Sequence, residues 1–185
     1  MTEQIPRPCI FFDRDGVVNE SPGLGKYVTC WEDFHFSDGI FDVLRSVFDA
    51  GLVAVLVTSQ RGVARGLMTQ ETLTDIHQRM QERIEKETGG SFLDIQACTD
   101  DIGVGNRRKP SPEMIFEAAE EHFLDIANSW MIGDHDRDIE MAHNAGIPAS
   151  RTVRIRGDHE ITYPAAFTLD SVAELAERTT RILSI

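Results

Sequence analysis

Residues 10–19 read Ile-Phe-Phe-Asp-Arg-Asp-Gly-Val-Val-Asn. The apolar run Cys9 to Phe12 is too short for a helix and fits a buried strand. It stops at two carboxylates, Asp13 and Asp15, spaced i and i+2. On a strand such residues point the same way. Gly16 follows, where the chain leaves the strand sharply. Two acids aimed at one point beside an apolar core repel each other. A bound cation relieves that cost, and hard carboxylate oxygens favour Mg²⁺. Taken alone, the pair fits a polar turn at a strand end equally well.

Further along, the same punctuation recurs. Leu52 to Val57 is a second apolar run, ending at Thr58-Ser59-Gln60-Arg61-Gly62. Phe92 to Cys98 and Ala127 to Ile132 are two more, the latter ending at Gly133-Asp134-His135-Asp136-Arg137-Asp138. Thr152 to Ile155 and Phe167 to Leu169 are short strands. Between them lie stretches of helical period: one capped by Asp38, one starting at Thr69, one opened by Ser111 and Pro112, one after Asp138 and one capped by Ser171. The glycine-rich loop 19–28 adjoins the acidic turn, and residues up to Phe36 are expected to fold as a hairpin-like flap. Alternating strands and helices predict an α/β fold, a Rossmann-like doubly wound parallel sheet with helices on both faces. Residues 1–185 are expected to form one domain. Right-handed crossovers put every strand's C-terminus on one edge, where such sheets bind ligands.

That edge would collect Asp13, Asp15, Thr58, Lys109, Asp134 and Asp138. The assembly suits phosphoryl transfer. Asp13 and Asp134 can hold Mg²⁺ against a phosphate oxygen. Asp13 can attack as nucleophile, and Asp15 is placed to move the proton. Thr58 and Lys109 can stabilise the transferring group, with Asp138 orienting Lys109.

Asp13-x-Asp15-Gly16-Val17, Thr58, Lys109-Pro110 and Gly133-Asp134-x-x-x-Asp138 resemble, in order and spacing, the four motifs of the haloacid dehalogenase superfamily of Mg²⁺-dependent phosphohydrolases. The resemblance implies a Rossmann-like core, an aspartyl-phosphate on Asp13 and Mg²⁺ bound by Asp13, the Asp15 carbonyl and Asp134. Phe12 to Asn19, Val57-Thr58-Ser59-Gln60, Gly62-Val63-Ala64-Arg65-Gly66 and Arg108-Lys109-Pro110 are similar to the heptose 1,7-bisphosphate and histidinol-phosphate phosphatase group. Members of that group have no large cap domain, and the short spacing from Asp15 to Thr58 agrees. The resemblance implies substrate binding by Ser59, Gln60, Arg61 and Arg108. A sugar phosphate such as D-glycero-D-manno-heptose 1,7-bisphosphate is the expected substrate and histidinol phosphate the alternative. Three departures stand out. The segment Ala97 to Arg108 has one Cys and no His where the group commonly carries a zinc loop, so no zinc is expected. Arg61 replaces a small residue, and the loop from Asn19 to Tyr27 is longer than usual. A receiver-type phospho-accepting domain is a different class with a similar acidic pocket. Its acidic pair is adjacent rather than i, i+2, and its phosphorylated Asp sits on a middle strand.

Composition sets the outer bounds. The chain has 185 residues and a formal charge of −13, with 41% hydrophobic and 26% charged residues. Nucleic acid and anionic membranes are poor partners for such a surface, and Arg107-Arg108-Lys109 is the only basic cluster. A small phosphorylated molecule is the expected partner. No apolar run reaches a membrane span, and Met1 to Pro8 lacks a signal-like segment. A cytoplasmic monomer is expected, with Cys9, Cys30 and Cys98 as free thiols. His135 lies inside the acidic loop, where it either lines the site or faces solvent. Arg156-Gly157-Asp158 belongs to a connecting loop.

Overall fold

The computed structural model describes residues 5–185. The part of the N-terminal reading that falls on Met1 to Gln4 lies outside the described residues. Six strands form one parallel sheet: β1 (Cys9–Phe12), β2 (Val53–Ser59), β3 (Asp94–Cys98), β4 (Trp130–Gly133), β5 (Thr152–Ile155) and β6 (Phe167–Leu169), in the order β3-β2-β1-β4-β5-β6. Five helices join them: α1 (Ile40–Asp49), α2 (Gln70–Thr88), α3 (Glu113–His122), α4 (Asp136–Ala145) and α5 (Val172–Leu183). α1 packs against α2 and α5 on one face, and α3 packs against α4 on the other. The sheet is therefore apolar on both sides, with Ile10 and Phe12 in one core cluster and Cys9 and Phe11 in the other. This is why β1 reads as an unbroken apolar run instead of an alternating one.

The strand order reverses between β1 and β4. Crossovers leave β1 toward β2 on one side, and β4 continues on the other. The loops at their C-terminal ends diverge there and open a crevice. The register puts Phe12 beside Leu56 and Ile132, and the Asp13 N–H donates to the Ile132 carbonyl at 2.9 Å. Asp13 and Asp134 thus leave neighbouring strands at the same height.

Strands β2 and β3 and helix α4 are shifted by one to two residues from the sequence reading, and four further differences have a local reason. Helix α1 is capped by Gly39 instead of Asp38, with φ at 84° and no side-chain acceptor. A Cβ there would come within 2.8 Å of the Ala173 backbone, so close packing of α1 on α5 selects glycine. Pro112, not Ser111, is the cap residue of α3. Strand β4 starts at Trp130 because Ile126–Asn128 makes a 3₁₀ turn, closed by the Asp125 carboxylate accepting from the Asn128 N–H at 3.2 Å. The flap has a neck and no paired arms. Asn19 bridges Phe36 antiparallel, the Glu20 N–H donates to the His35 carbonyl at 2.8 Å, and the excursion holds only a 3₁₀ turn, Trp31–Asp33. No described helix is long and apolar enough to cross a membrane.

Candidate active site

Lys109 is the hub. Its Nζ donates to Asp13 Oδ1 and to Asp138 Oδ1, both at 2.7 Å, and all three side chains are buried. Burial opposes the ammonium charge, but the two carboxylates outweigh it and hold its pKa above the usual value. Asp138 is filled on both oxygens, because Oδ2 accepts the His135 N–H at 3.0 Å. It orients Lys109 and closes the first turn of α4 in the same stroke. Burial works against the Asp138 charge, and Lys109 and Arg137 overcome it, so its pKa lies below the ordinary range.

Asp134 has the opposite balance. It is 7% exposed and its carboxylate accepts no hydrogen bond among the described residues. Burial first, then the charges of Asp13 and Asp138, push its pKa up to about 8. Asp13 is pushed up to about 6, chiefly by burial. Oxygens of Asp13, Asp134 and Asp138 lie within 4.8 Å of one another. Three carboxylates face one ammonium, so the cluster carries an excess of negative charge. With Asp138 satisfied, Asp134 and the second oxygen of Asp13 are the free ligands. An all-oxygen donor set of this kind fits a hard divalent cation such as Mg²⁺. A second acidic group joins Asp94, at the start of β3, to Glu121 and His122, at the end of α3. Its Asp94 carboxylate already accepts from Ile95 N and Gln96 Nε2.

Asp15 points into the same crevice and is partly exposed. Its carboxylate accepts from Arg14 at 2.9 Å, Asn19 Nδ2 at 2.9 Å and Gln60 Nε2 at 2.8 Å. Burial alone would raise its pKa, but the Arg14 charge and these donors hold it below the usual carboxylate range. Arg14 is itself fully buried. It lies 5.9 Å over the Phe34 ring and 3.3 Å from His77 Nε2. A guanidinium only donates, so His77 accepts and is neutral. Burial, then Arg14, hold the His77 pKa down at about 3.

The residues expected to bind substrate divide. Ser59, Arg61 and Arg108 line a cavity of about 230 Å³ that also touches Asp15 and Asp134. Gln60 is fully buried and does not reach it; its amide bridges Asp15 and Thr58 Oγ1, both at 2.8 Å. Gln60 acts on the site through those two residues. Arg61 is ion-paired with Asp101. The basic cluster splits three ways: Arg107 pairs with Glu117 at 2.7 Å, Arg108 faces the cavity and Lys109 goes under it.

Two cavity residues escaped the sequence reading. Arg137 lines the wall, and no motif marks it, because a basic residue in a first helical turn looks like ordinary surface. His159, from the loop after β5, packs against His135 with ring centroids 4.2 Å apart and the rings tilted by 55°. His135 caps α4 by accepting the Arg137 N–H on Nδ1. It is half-buried, and burial pushes its pKa down to about 4.

Gly16 sets the tightness of the crevice. Its φ is 88°, and a Cβ there would collide with the Asp134 carboxylate. Gly16→Ala is expected to lower phosphate release about 100-fold, since a displacement near 1 Å costs that much in an oriented site. Unchanged turnover in a phosphate assay would show that Asp134 tolerates the shift.

The HAD-hydrolase-like family model matches residues 106–175. D-glycero-D-manno-heptose-1,7-bisphosphate 7-phosphatase of Thermosynechococcus vestitus is 32% identical over 92% of each chain. The D-glycero-beta-D-manno-heptose-1,7-bisphosphate 7-phosphatase of Yersinia pestis is 34% identical over 95% of each. Among solved structures, D,D-heptose 1,7-bisphosphate phosphatase from B. bronchiseptica, complexed with magnesium and phosphate, superposes with a TM-score of 0.78 at 27% identity, covering 92% of this chain and 97% of that one. Similarity of this extent, on a sheet whose switch point gathers Asp13, Lys109, Asp134 and Asp138, means that the chain belongs to the haloacid dehalogenase-like phosphatases.

Proposed function

We infer that the protein removes one phosphate from a sugar bisphosphate, D-glycero-D-manno-heptose 1,7-bisphosphate being the substrate its relatives are named for, by way of an aspartyl-phosphate on Asp13. The observation that carries the reading is the Lys109 fork: one buried ammonium holds Asp13 and Asp138, while Asp134 stands beside them unbonded. Asp13 and Asp134, with the backbone carbonyl of Asp15, would hold Mg²⁺, which supplies charge neutralisation between carboxylate and phosphate.

Asp13 Oδ attacks phosphorus, the ester P–O bond breaks, and its electron pair leaves with the sugar oxygen. Asp15 gives that oxygen its proton. In the free site Asp15 favours the ionised form, and the negative charge of an arriving phosphate shifts it toward the protonated one. Once the sugar has gone, Asp15 is the carboxylate that takes a proton from water as that water attacks the aspartyl-phosphate. Thr58 and Lys109 stabilise the transferring group. Histidinol phosphate carries an amine, and a wall lined by Arg61, Arg108 and Arg137 suits an anion better. The test is phosphate release from heptose 1,7-bisphosphate and histidinol phosphate, with and without Mg²⁺. Turnover of histidinol phosphate alone would move the substrate to the alternative, and turnover of neither, nor of any other phosphate ester, would sink the reading.

A pH dependence follows from Asp134. Its folded pKa of about 8 stands above the ordinary 3.8, so the metal-free folded state binds the proton more tightly than the unfolded chain. That contribution is complete below the unfolded value and is lost as pH rises through about 8. Mg²⁺ takes over from the proton, so its stabilising shift in Tm is expected to be larger at pH 8 than at pH 6. Equal shifts in a thermal melt at both pH values would contradict this.

A further inference from the structure

Arg137 has no part in the phosphoryl transfer set out above beyond its charge near Asp134 and Asp138, yet its environment is built for an anion. The chain has 31 acids against 18 Lys and Arg residues, and its arginines have carboxylates in plenty. Arg61, Arg107 and Arg154 all take them. Arg137 Nε and Arg108 Nη1 are buried atoms without a hydrogen-bond partner, and so is Ser59 Oγ. All three residues line the cavity that touches Asp15 and Asp134. Buried donors without partners are costly in a folded protein and mark where a ligand is to supply acceptors. Burial and the nearby charges of Arg137 and Arg61 lower the Arg108 pKa, and the three arginines line the same cavity.

The transferring phosphoryl group already has Lys109, Thr58 and the acidic metal ligands. Two more guanidiniums exceed what a single phosphate at that point needs. Arg61 is tied to Asp101, which leaves Arg108 from the loop before α3 and Arg137 from the first turn of α4. Their planar forks match phosphate oxygens in pairs. We propose that Arg137, together with Arg108, grips the phosphate that is not transferred and so sets the preference for bisphosphates over monophosphates. This rests on the phosphatase reading given above.

The test uses the Mg²⁺-loaded enzyme and its Arg137→Ala and Arg137→Lys forms. The ratio of kcat/KM for heptose 1,7-bisphosphate to that for p-nitrophenyl phosphate is measured for each. In Arg137→Ala the ratio is expected to fall roughly 10- to 100-fold, mainly through KM, the range for losing a charged hydrogen bond. Arg137→Lys should recover part of it, because a point charge replaces the fork. An unchanged ratio overturns the proposal, whether both activities drop together, which puts Arg137 on the reacting phosphoryl, or neither does. If the wild type ignores the heptose but hydrolyses other sugar phosphates, the substrate reading falls by itself. The Arg137 ratio is then read on fructose 1,6-bisphosphate against fructose 6-phosphate, with the same two outcomes.

Discussion

Asp13→Asn is expected to reduce phosphate release about 10⁴-fold or more, the usual scale for removing a covalent nucleophile, while leaving the protein folded. The reason for the second half lies in the charge balance. Lys109 is the one cation bonded to Asp13 and Asp138, and with the Arg137 charge beside Asp134 and Asp138 the three carboxylates still outnumber the positive charges. Removing one carboxylate leaves Lys109 paired with Asp138 and relieves Asp134 of the charge that acts on it most strongly. An Asn amide oxygen can still accept from Lys109. The metal-free variant should therefore melt no lower than the parent at pH 8. It should gain less from Mg²⁺, because one of the free carboxylate ligands has gone. Phosphate assay and thermal melts together check both halves. Loss of activity accompanied by collapse of the fold would mean that Asp13 is needed for structure, and retained activity would remove it as the nucleophile.

How far the sequence reached depends on which interactions are local. Strand β1 was legible because both sheet faces are covered, which leaves a short apolar run with no competing helical period. Asp13, Asp15 and the Gly16 that follows them marked the exit from the sheet. Lys109 taken alone reads as solvated surface, and it could be placed at the edge only in the company of Asp13, Asp15, Thr58, Asp134 and Asp138 and by the Lys109-Pro110 motif. Helix caps were read less well. Asp38 and Ser111 are good capping residues by type, but α1 and α3 begin where packing and chain geometry dictate, at Gly39 and Pro112. Gln60 shows a different limit. Its type and neighbourhood suggest a ligand contact, whereas its amide nitrogen donates to Asp15 and Thr58, a pairing that only the register of β2 against β1 reveals. Arg137 was invisible for the converse reason: what distinguishes it is the lack of a partner, and that property belongs to the packed structure.

Lys109→Met carries the other large expectation, and here stability and activity should fall together. The methionine keeps the apolar stem and removes the charge. Asp13 and Asp138 are then left buried with no cation between them, and breaking a buried ion pair from one side costs about 3–5 kcal/mol. For a protein of this size that corresponds to a Tm drop of roughly 10 °C. The deficit should shrink as pH is lowered from 8 to 5, because the stranded carboxylates take up protons and their repulsion goes. Activity should fall about 10³-fold, since a preorganised charge on the transferring phosphoryl group is lost. Adding Asp138→Asn separates the two effects. With the second carboxylate neutralised, the double variant should regain much of the Tm and none of the turnover. If Lys109→Met melts like the parent at pH 8, the fork does not hold the cluster together. If the double variant regains turnover, Lys109 serves only to neutralise Asp138, and the charge on the phosphoryl group must come from elsewhere.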